Sequence, residues 1–173
     1  MEPKIEYKES MVLLGMDFYG DPFNSHTFWD EKNEIGRLWK RFESFLNKSP
    51  ELIKNRIRKN VSLEVFITTE ESMSIGIFEV FVGVLVEEIE YIPLKCVAKE
   101  LPATHYAVFT LKGNEITSDW QNEIYNIWLP NSDYESAYNY NIQYYDERFK
   151  GIDQIEESVV DVYIPVQKKD SVK

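Results

Sequence analysis

The chain has 173 residues and a formal net charge of −11, from 19 basic and 30 acidic side chains. Hydrophobic residues make up 43% of it and aromatic residues 14%, a composition that excludes a disordered acidic tail and a fibrous protein. The excess of carboxylates argues against nucleic-acid binding, because phosphates are neutralised by clustered Lys and Arg.

Further classes are excluded by what the sequence lacks. No apolar run reaches the roughly 20 residues that span a bilayer, and the start of the chain has no signal-peptide core. One cysteine and two histidines predict no internal disulfide and no structural metal site, and no glycine-rich phosphate loop is present. We therefore expect a soluble cytoplasmic protein without metal or cofactor, and without membrane or direct nucleic-acid contacts.

The first half of the chain reads as a strand, a helix and two further strands. Asp30 is positioned to cap the helix, and Pro50 allows a new turn after it. The predicted strands are Ile5–Phe18, Leu63–Thr69 and Ile77–Glu87, with a polar turn at Glu71–Ser74, and the helix carries the apolar stripe Ile35, Leu38, Trp39, Phe42, Phe45 and Leu46.

The second half repeats this order. Asn114 is positioned to cap its helix, which Pro130 ends. The predicted strands are His105–Leu111, Asn139–Tyr145 and Ser158–Val166, and the helix stripe is Ile116, Trp120, Ile124, Ile127 and Trp128.

The phrase Glu-Ile-x-x-x-Trp opens both helical patterns, at residues 34–39 and 115–120. Together with the matching order of elements it predicts an α+β fold made of two β-α-β-β modules with antiparallel sheets. We expect one domain over residues 1–173, with module 1 at about 1–90, module 2 at about 91–167 and a short C-terminal tail. Trp39 and Trp120 are interpreted as core residues, and Trp128 as a cleft wall.

Strand alternation assigns the side chains to two faces. The β-branched faces are expected to pack under the helices, which leaves a second face rich in aromatic residues. That face is either a small-molecule cleft or simply exposed to water. Its members include Tyr19, Phe66, Phe81, Tyr145 and Tyr163.

Glu64 and Asp161 lie among these aromatic residues by alternation. A partly buried carboxylate there would attract a lipophilic cation or act as a general acid or base, whereas an exposed one would do neither. A Cys–His nucleophile would require Cys96 with His26 or His105. We instead expect a buried structural Cys96 and a hydrogen-bonded structural His105, and His26 lies in an irregular loop where it could contact a ligand.

The second half resembles the gyrase-inhibitor-like family, also described as the effector-binding domain of AraC-type and multidrug-sensing regulators. The resemblance is carried by residues 101–109 (LPATHYAVF), Gly113, Trp120, Ile124-Tyr125-x-x-Trp128-Leu129-Pro130, residues 144–149 (YYDERF) and residues 163–166 (YIPV). Pro3-Lys4-Ile5 and Ile35-x-x-Leu38-Trp39 extend it over nearly the whole chain.

This resemblance implies two modules related by a pseudo-two-fold axis, with a ligand cleft between them on the face away from the helices. It also implies small aromatic or lipophilic ligands, often cationic, and the stand-alone branch, which has no DNA-binding domain. The family usually carries a glutamate two residues before Tyr145, where this chain has Gln143. An amide supplies neither negative charge nor a general base.

We therefore expect a non-enzymatic binder that sequesters or senses a drug or toxin. Two alternatives remain: a hydrolase of cyclopropane-type toxins that uses an acid such as Asp161, and an acidic module that binds a protein such as gyrase or a regulator. The candidate ligand-binding residues are Tyr19, Glu64, Phe81, Tyr106, Trp128, Gln143, Tyr145, Asp161 and Tyr163.

Overall fold

The computed structural model describes residues 2–22 and 32–169. Nine strands within these ranges form one sheet in which every pairing is antiparallel, and the predicted α+β class is confirmed. The strands are β1 Lys4–Lys8, β2 Met11–Gly20, β3 Ser62–Ile67, β4 Phe78–Val86, β5 Val97–Leu101, β6 Thr104–Lys112, β7 Tyr134–Ser136, β8 Tyr140–Tyr145 and β9 Val159–Lys168.

The helices are α1 Glu34–Lys48, α2 Glu70–Ile75, α3 Trp120–Asn122 and α4 Leu129–Asn131. A π-helical turn, Glu123–Trp128, joins α3 to α4, so residues 120–131 form one continuous helical segment. Short 3₁₀ helices occur at Pro50–Leu52, Gly113–Thr117 and Ile152–Glu157.

Helix α1 begins where a side chain satisfies its first free amides. Asn33 Oδ1 accepts a hydrogen bond from the Gly36 N–H at 2.8 Å, the arrangement of an N-cap. The prediction of Asp30 as the cap is therefore wrong, and Asp30 itself lies outside the described residues. Leu38 and Phe42 are buried and anchor the helix to the sheet.

The second helical segment also starts at a different cap from the predicted one. Asp119 accepts from the Asn122 N–H at 3.3 Å, whereas Asn114 lies within a 3₁₀ helix. Ile124 is fully buried, but Ile127 is 55% exposed and does not belong to the apolar stripe. The wide π-helical turn before Pro130 changes the angular spacing on which the predicted stripe depended.

Other boundaries differ from the predicted elements. The stretch Ile5–Phe18 forms two strands, β1 and β2, instead of one. The polar turn at Glu71–Ser74 is part of helix α2, which Thr69 and Ser72 cap reciprocally. Strands β5 and β7 were not predicted, because they are short, with five and three residues.

The strand order is β1-β6-β9-β8-β3-β4-β2-β5, with β7 on β9. One half of the fold consists of strands β2, β3 and β4 with α1. The other half consists of strands β6, β8 and β9 with residues 120–131. The halves meet where β3 pairs with β8 at the centre of the sheet. Strand β1 pairs with β6 and β5 with β2, so each half adds an edge strand to the other. Only residues 9–10 separate β1 from β2, so the sheet curls until its edges approach each other.

Because the sheet curls, both of its faces are buried. As predicted, the even-numbered side chains of β2, β4 and β9 face the helices. In β3 the prediction is wrong, since Phe66 packs with the core under α1 while Leu63 and Val65 pack in a separate core on the opposite face. A β-branched face therefore does not identify the helix-bearing side here.

Candidate functional site

A cavity of about 580 Å³ lies on the helix-bearing face, above the junction of β3 and β8. Helix α1 forms one wall and the start of the 120–131 segment forms the other. The lining residues are Asn33, Ile35, Gly36, Trp39, Lys40, Glu43, Asn60, Ser62, Glu64, Phe66, Ser118, Asp119, Trp120, Gln121, Gln143, Tyr145, Asp146, Phe149 and Ile152.

Glu64 lies at the base of this cavity and is 2% exposed. Both of its oxygens accept hydrogen bonds, Oε2 from Trp39 Nε1 at 2.7 Å and Oε1 from Gln143 Nε2 at 3.1 Å. Burial raises the pKa of Glu64 to about 7, and the hydrogen bond from Trp39 acts in the opposite direction. The cavity thus holds a carboxyl group that titrates near neutral pH, and burial makes its ionised form costly.

Gln143 and Tyr145 continue this polar network along β8. Gln143 is paired with Glu64 in the strand register, and its Oε1 accepts from the Tyr145 hydroxyl at 2.9 Å. Burial, and to a lesser extent the charge of Glu64, holds the pKa of Tyr145 well above its ordinary value. Tyr145 therefore remains a neutral hydrogen-bond donor, which fixes the orientation of the Gln143 amide.

Aromatic rings form much of the cavity wall around Glu64. Trp39 and Tyr145 meet edge-to-face with ring centroids 5.1 Å apart, and Tyr145 meets Phe149 in the same way at 4.9 Å. Phe66 and Trp120 also line the cavity. Ring faces attract cations, so the walls and the carboxylate favour the same kind of ligand.

The rim of the cavity is more polar. Glu43, Asp119 and Lys40 lie there and are exposed. Asp146 is held by Arg148, with an N–O distance of 2.8 Å, and the hydrogen bonds from Arg148 outweigh partial burial to lower the pKa of Asp146.

Three of the nine predicted site residues, Glu64, Gln143 and Tyr145, line the cavity together. Tyr19 lies away from it, 65% exposed. Phe81 and Tyr106 are fully buried in the core on the opposite face, where the Tyr106 and Tyr140 hydroxyls are 2.7 Å apart.

The remaining three predicted residues also lie outside the cavity lining. Trp128 packs edge-to-face on Phe109 at 5.1 Å, and Tyr163 packs on Tyr106 at 6.0 Å. Asp161 accepts from Thr110 at 2.7 Å and forms an ion pair with Arg148 at 2.5 Å. Asp161 is therefore not placed to anchor a ligand in this cavity or to activate water there.

The predicted cleft on the face away from the helices is thus wrong, because that face is filled by its own core and the cavity lies between the helices. Trp39 and Trp120 were interpreted as core residues, and the structure confirms this for Trp120, which is 4% exposed within a hydrophobic core. Trp39 is partly buried against the cores of both halves, and both tryptophans also line the cavity. The available signal was the indole N–H of Trp39, which requires a partner when it is buried.

The other reactive side chains contribute little to this site. Cys96 is buried as expected. His105, predicted to be a hydrogen-bonded structural residue, is exposed, and its ring centroid lies 5.3 Å from that of Tyr7. His26 lies outside the described residues. In residues 2–22 and 32–169 no group of three or more His, Cys, Asp or Glu side chains is arranged to hold a metal. In the same ranges, no helix has both the length and the apolar character needed to cross a membrane.

A curled antiparallel sheet with two flanking helices and an aromatic cavity between them defines an effector-binding domain. The chain belongs to the Cass2 family of integron-associated effector binding proteins, whose model matches residues 4–166. The family resemblance predicted from the sequence is thereby confirmed at the level of the effector-binding domain.

Individual relatives agree with this assignment. The transcriptional regulator BrlR of Pseudomonas aeruginosa is 30% identical over 169 residues, which are 96% of this chain and 56% of BrlR, so the chain spans about half of that relative. The structure of SAV2435 bound to tetraphenylphosphonium superposes with a TM-score of 0.69 at 16% identity, covering 96% of this chain and 94% of that one. A Vibrio cholerae integron cassette protein has a TM-score of 0.61 at 20% identity, with 96% and 97% covered. At these identities the two structures show a shared fold.

Proposed function

We propose that the chain binds a lipophilic cation with aromatic substituents in the cavity between α1 and the 120–131 segment. The observation that carries this proposal is Glu64, a carboxylate 2% exposed at the base of an aromatic cavity. The proposed role is the sensing or sequestration of a drug or toxin.

The charge balance of the cavity supports a cationic ligand. The ion pairs formed among the described residues do not include Glu64, and its two hydrogen-bond donors, Trp39 and Gln143, are neutral. An ionised carboxylate buried without a counter-ion is costly, and a bound cation would offset that cost. A neutral ligand of the same shape would not.

The shape and lining of the cavity support the aromatic part of the proposal. Its volume of about 580 Å³ is within the usual range for small-molecule sites. Trp39, Trp120, Tyr145 and Phe149 present ring surfaces to it, which suits a ligand whose charge is surrounded by aromatic groups. The tetraphenylphosphonium bound by SAV2435, a protein with this fold, has this chemistry.

Two ions of nearly equal shape and opposite charge test the proposal. In isothermal titration calorimetry, tetraphenylphosphonium is expected to bind saturably and tetraphenylborate is not. Glu64→Gln is expected to weaken phosphonium binding by at least about tenfold, because the attraction to a buried charge is lost. Glu100→Gln, at an exposed position of β5 outside the cavity lining, is the matched control and should leave the dissociation constant within about twofold. Equal binding of both ions, or no effect of Glu64→Gln, would contradict the proposal.

A further inference from the structure

Two polar strand residues form the base of the cavity, and only one of them, a glutamate, can carry a charge. Glu64 on β3 and Gln143 on β8 are direct partners in the register, and they are 2% and 5% exposed. The Gln143 amide donates to Glu64 Oε1 at 3.1 Å. We call this pair the cavity floor. Gln143 contributes hydrogen bonding to the floor and no charge.

The neutral amide is fixed in place from both sides. Its Nε2 donates to Glu64, and its Oε1 accepts from the Tyr145 hydroxyl at 2.9 Å. Turning the amide over would place its N–H groups against the Tyr145 donor and its oxygen against the Glu64 carboxylate. Gln143 therefore has a defined orientation that supports a single carboxylate.

Within residues 2–22 and 32–169, the cavity wall has no second buried anion that could balance another positive charge. Glu43 and Asp119 are exposed at the rim, where water screens them. Asp146 already forms an ion pair with Arg148 at 2.8 Å. Among the described residues that line the cavity, Glu64 is the one acid that is both buried and outside every ion pair described above.

We infer that Gln143 is a specificity-determining residue that restricts this cavity to singly charged cations. The inference rests on the proposed function and adds the charge class of the ligand. A monocation matches the one charge of the floor. A dication of the same shape would bring a second charge into a site without a buried partner for it, which is unfavourable.

Replacing Gln143 by glutamate should remove this preference for a monocation. The variant would place two carboxylates in hydrogen-bonding distance on adjacent strands, where like charges repel unless a proton or a second positive charge lies between them. A dication provides both positive charges, so its affinity should rise relative to that of a monocation.

Two isosteric probes separate charge from shape. N-benzyl-4-(4-methylphenyl)pyridinium carries one positive charge, and N-benzyl-N′-methyl-4,4′-bipyridinium carries two on the same skeleton. Dissociation constants for both are measured by calorimetry at pH 8.5 with the wild type, with Gln143→Glu and with the exchange variant Glu64→Gln/Gln143→Glu. Far-UV circular dichroism verifies that each variant is folded.

The wild type is expected to bind the monocation at least about tenfold more tightly than the dication. Gln143→Glu should lower this ratio at least about tenfold, and the exchange variant, which keeps one charge, should retain the preference for the monocation. Equal affinities in the wild type, or a preference of the exchange variant for the dication, would overturn the inference while leaving cation binding intact. If Gln143→Glu does not fold, the affinities of the wild type and of the exchange variant for the two probes still test the inference. Failure of the wild type to bind the monocation and tetraphenylphosphonium alike would overturn the proposed function itself.

Discussion

Glu64→Gln is expected to stabilise the protein at alkaline pH, although it removes the charge on which ligand binding depends. Burial raises the pKa of Glu64 from its ordinary value of 4.5 to about 7. Between these values the folded protein binds a proton that the unfolded chain has released. The stability that this proton provides is complete below pH 4.5 and is lost as the pH rises through about 7.

The magnitude follows from that interval. The span from 4.5 to about 7 corresponds to about 3 kcal/mol in the free energy of unfolding. Glutamine is nearly isosteric with the protonated acid and does not ionise. Glu64→Gln should therefore exceed the wild type by about 3 kcal/mol at pH 8.5 and by less than about 1 kcal/mol at pH 5.

Urea unfolding followed by far-UV circular dichroism at pH 5 and pH 8.5 measures both differences. Glu43→Gln, at the exposed rim of the same cavity, is the control and should change the free energy of unfolding by less than about 0.5 kcal/mol. A difference between Glu64→Gln and the wild type that is the same at both pH values would refute the assignment of Glu64 as a buried, proton-binding carboxylate.

Three further outcomes are expected. Trp39→Phe removes the donor 2.7 Å from Glu64 and should lower the free energy of unfolding at pH 8.5 by about 2 kcal/mol; an unchanged urea midpoint would contradict the contact. Affinity for tetraphenylphosphonium should rise with pH up to about 7 and then level off, because proton and cation compete for Glu64; a flat calorimetric profile from pH 5 to 8 would count against this competition. Gly83→Ala places a methyl group 2.5 Å from the Leu14 carbonyl oxygen and the Phe81 ring, so it should lower the free energy of unfolding by at least about 2 kcal/mol. A melting temperature equal to that of the wild type would contradict the close packing of these strands.

The sequence was sufficient for the repeated β-α-β-β order, for both main helices and for the helix-facing side of β2, β4 and β9. It was not sufficient for β3. There the apolar residues Leu63 and Val65 pack in the opposite core, while Glu64 faces the helices. Alternation shows that two faces differ, but it identifies the helix-bearing face only when the other is exposed. The curl of the sheet buries both.

Because alternation cannot tell which face bears the helices, only some of the predicted site residues line the cavity. Glu64 and Tyr145 were predicted from strand alternation, and Gln143 from the position it occupies in the family pattern; all three line one cavity. Phe81 and Tyr163 were also predicted from strand alternation, but together with Tyr106 they belong to the core on the face away from the helices. What separates the two groups is the gap between the helices above β3 and β8, which depends on tertiary packing and leaves no local signal in the sequence.

Locating a bound cation in a crystal tests directly whether the ligand occupies the cavity between the helices. Tetraphenylarsonium has the shape and charge of the phosphonium ion, and its arsenic atom gives an anomalous signal. We expect one anomalous peak in the cavity, within about 6 Å of the Trp39 or Tyr145 ring and on the side of Glu64. A peak on the opposite face beside Tyr106 and Tyr163, or no peak at saturating ligand, would contradict this expectation.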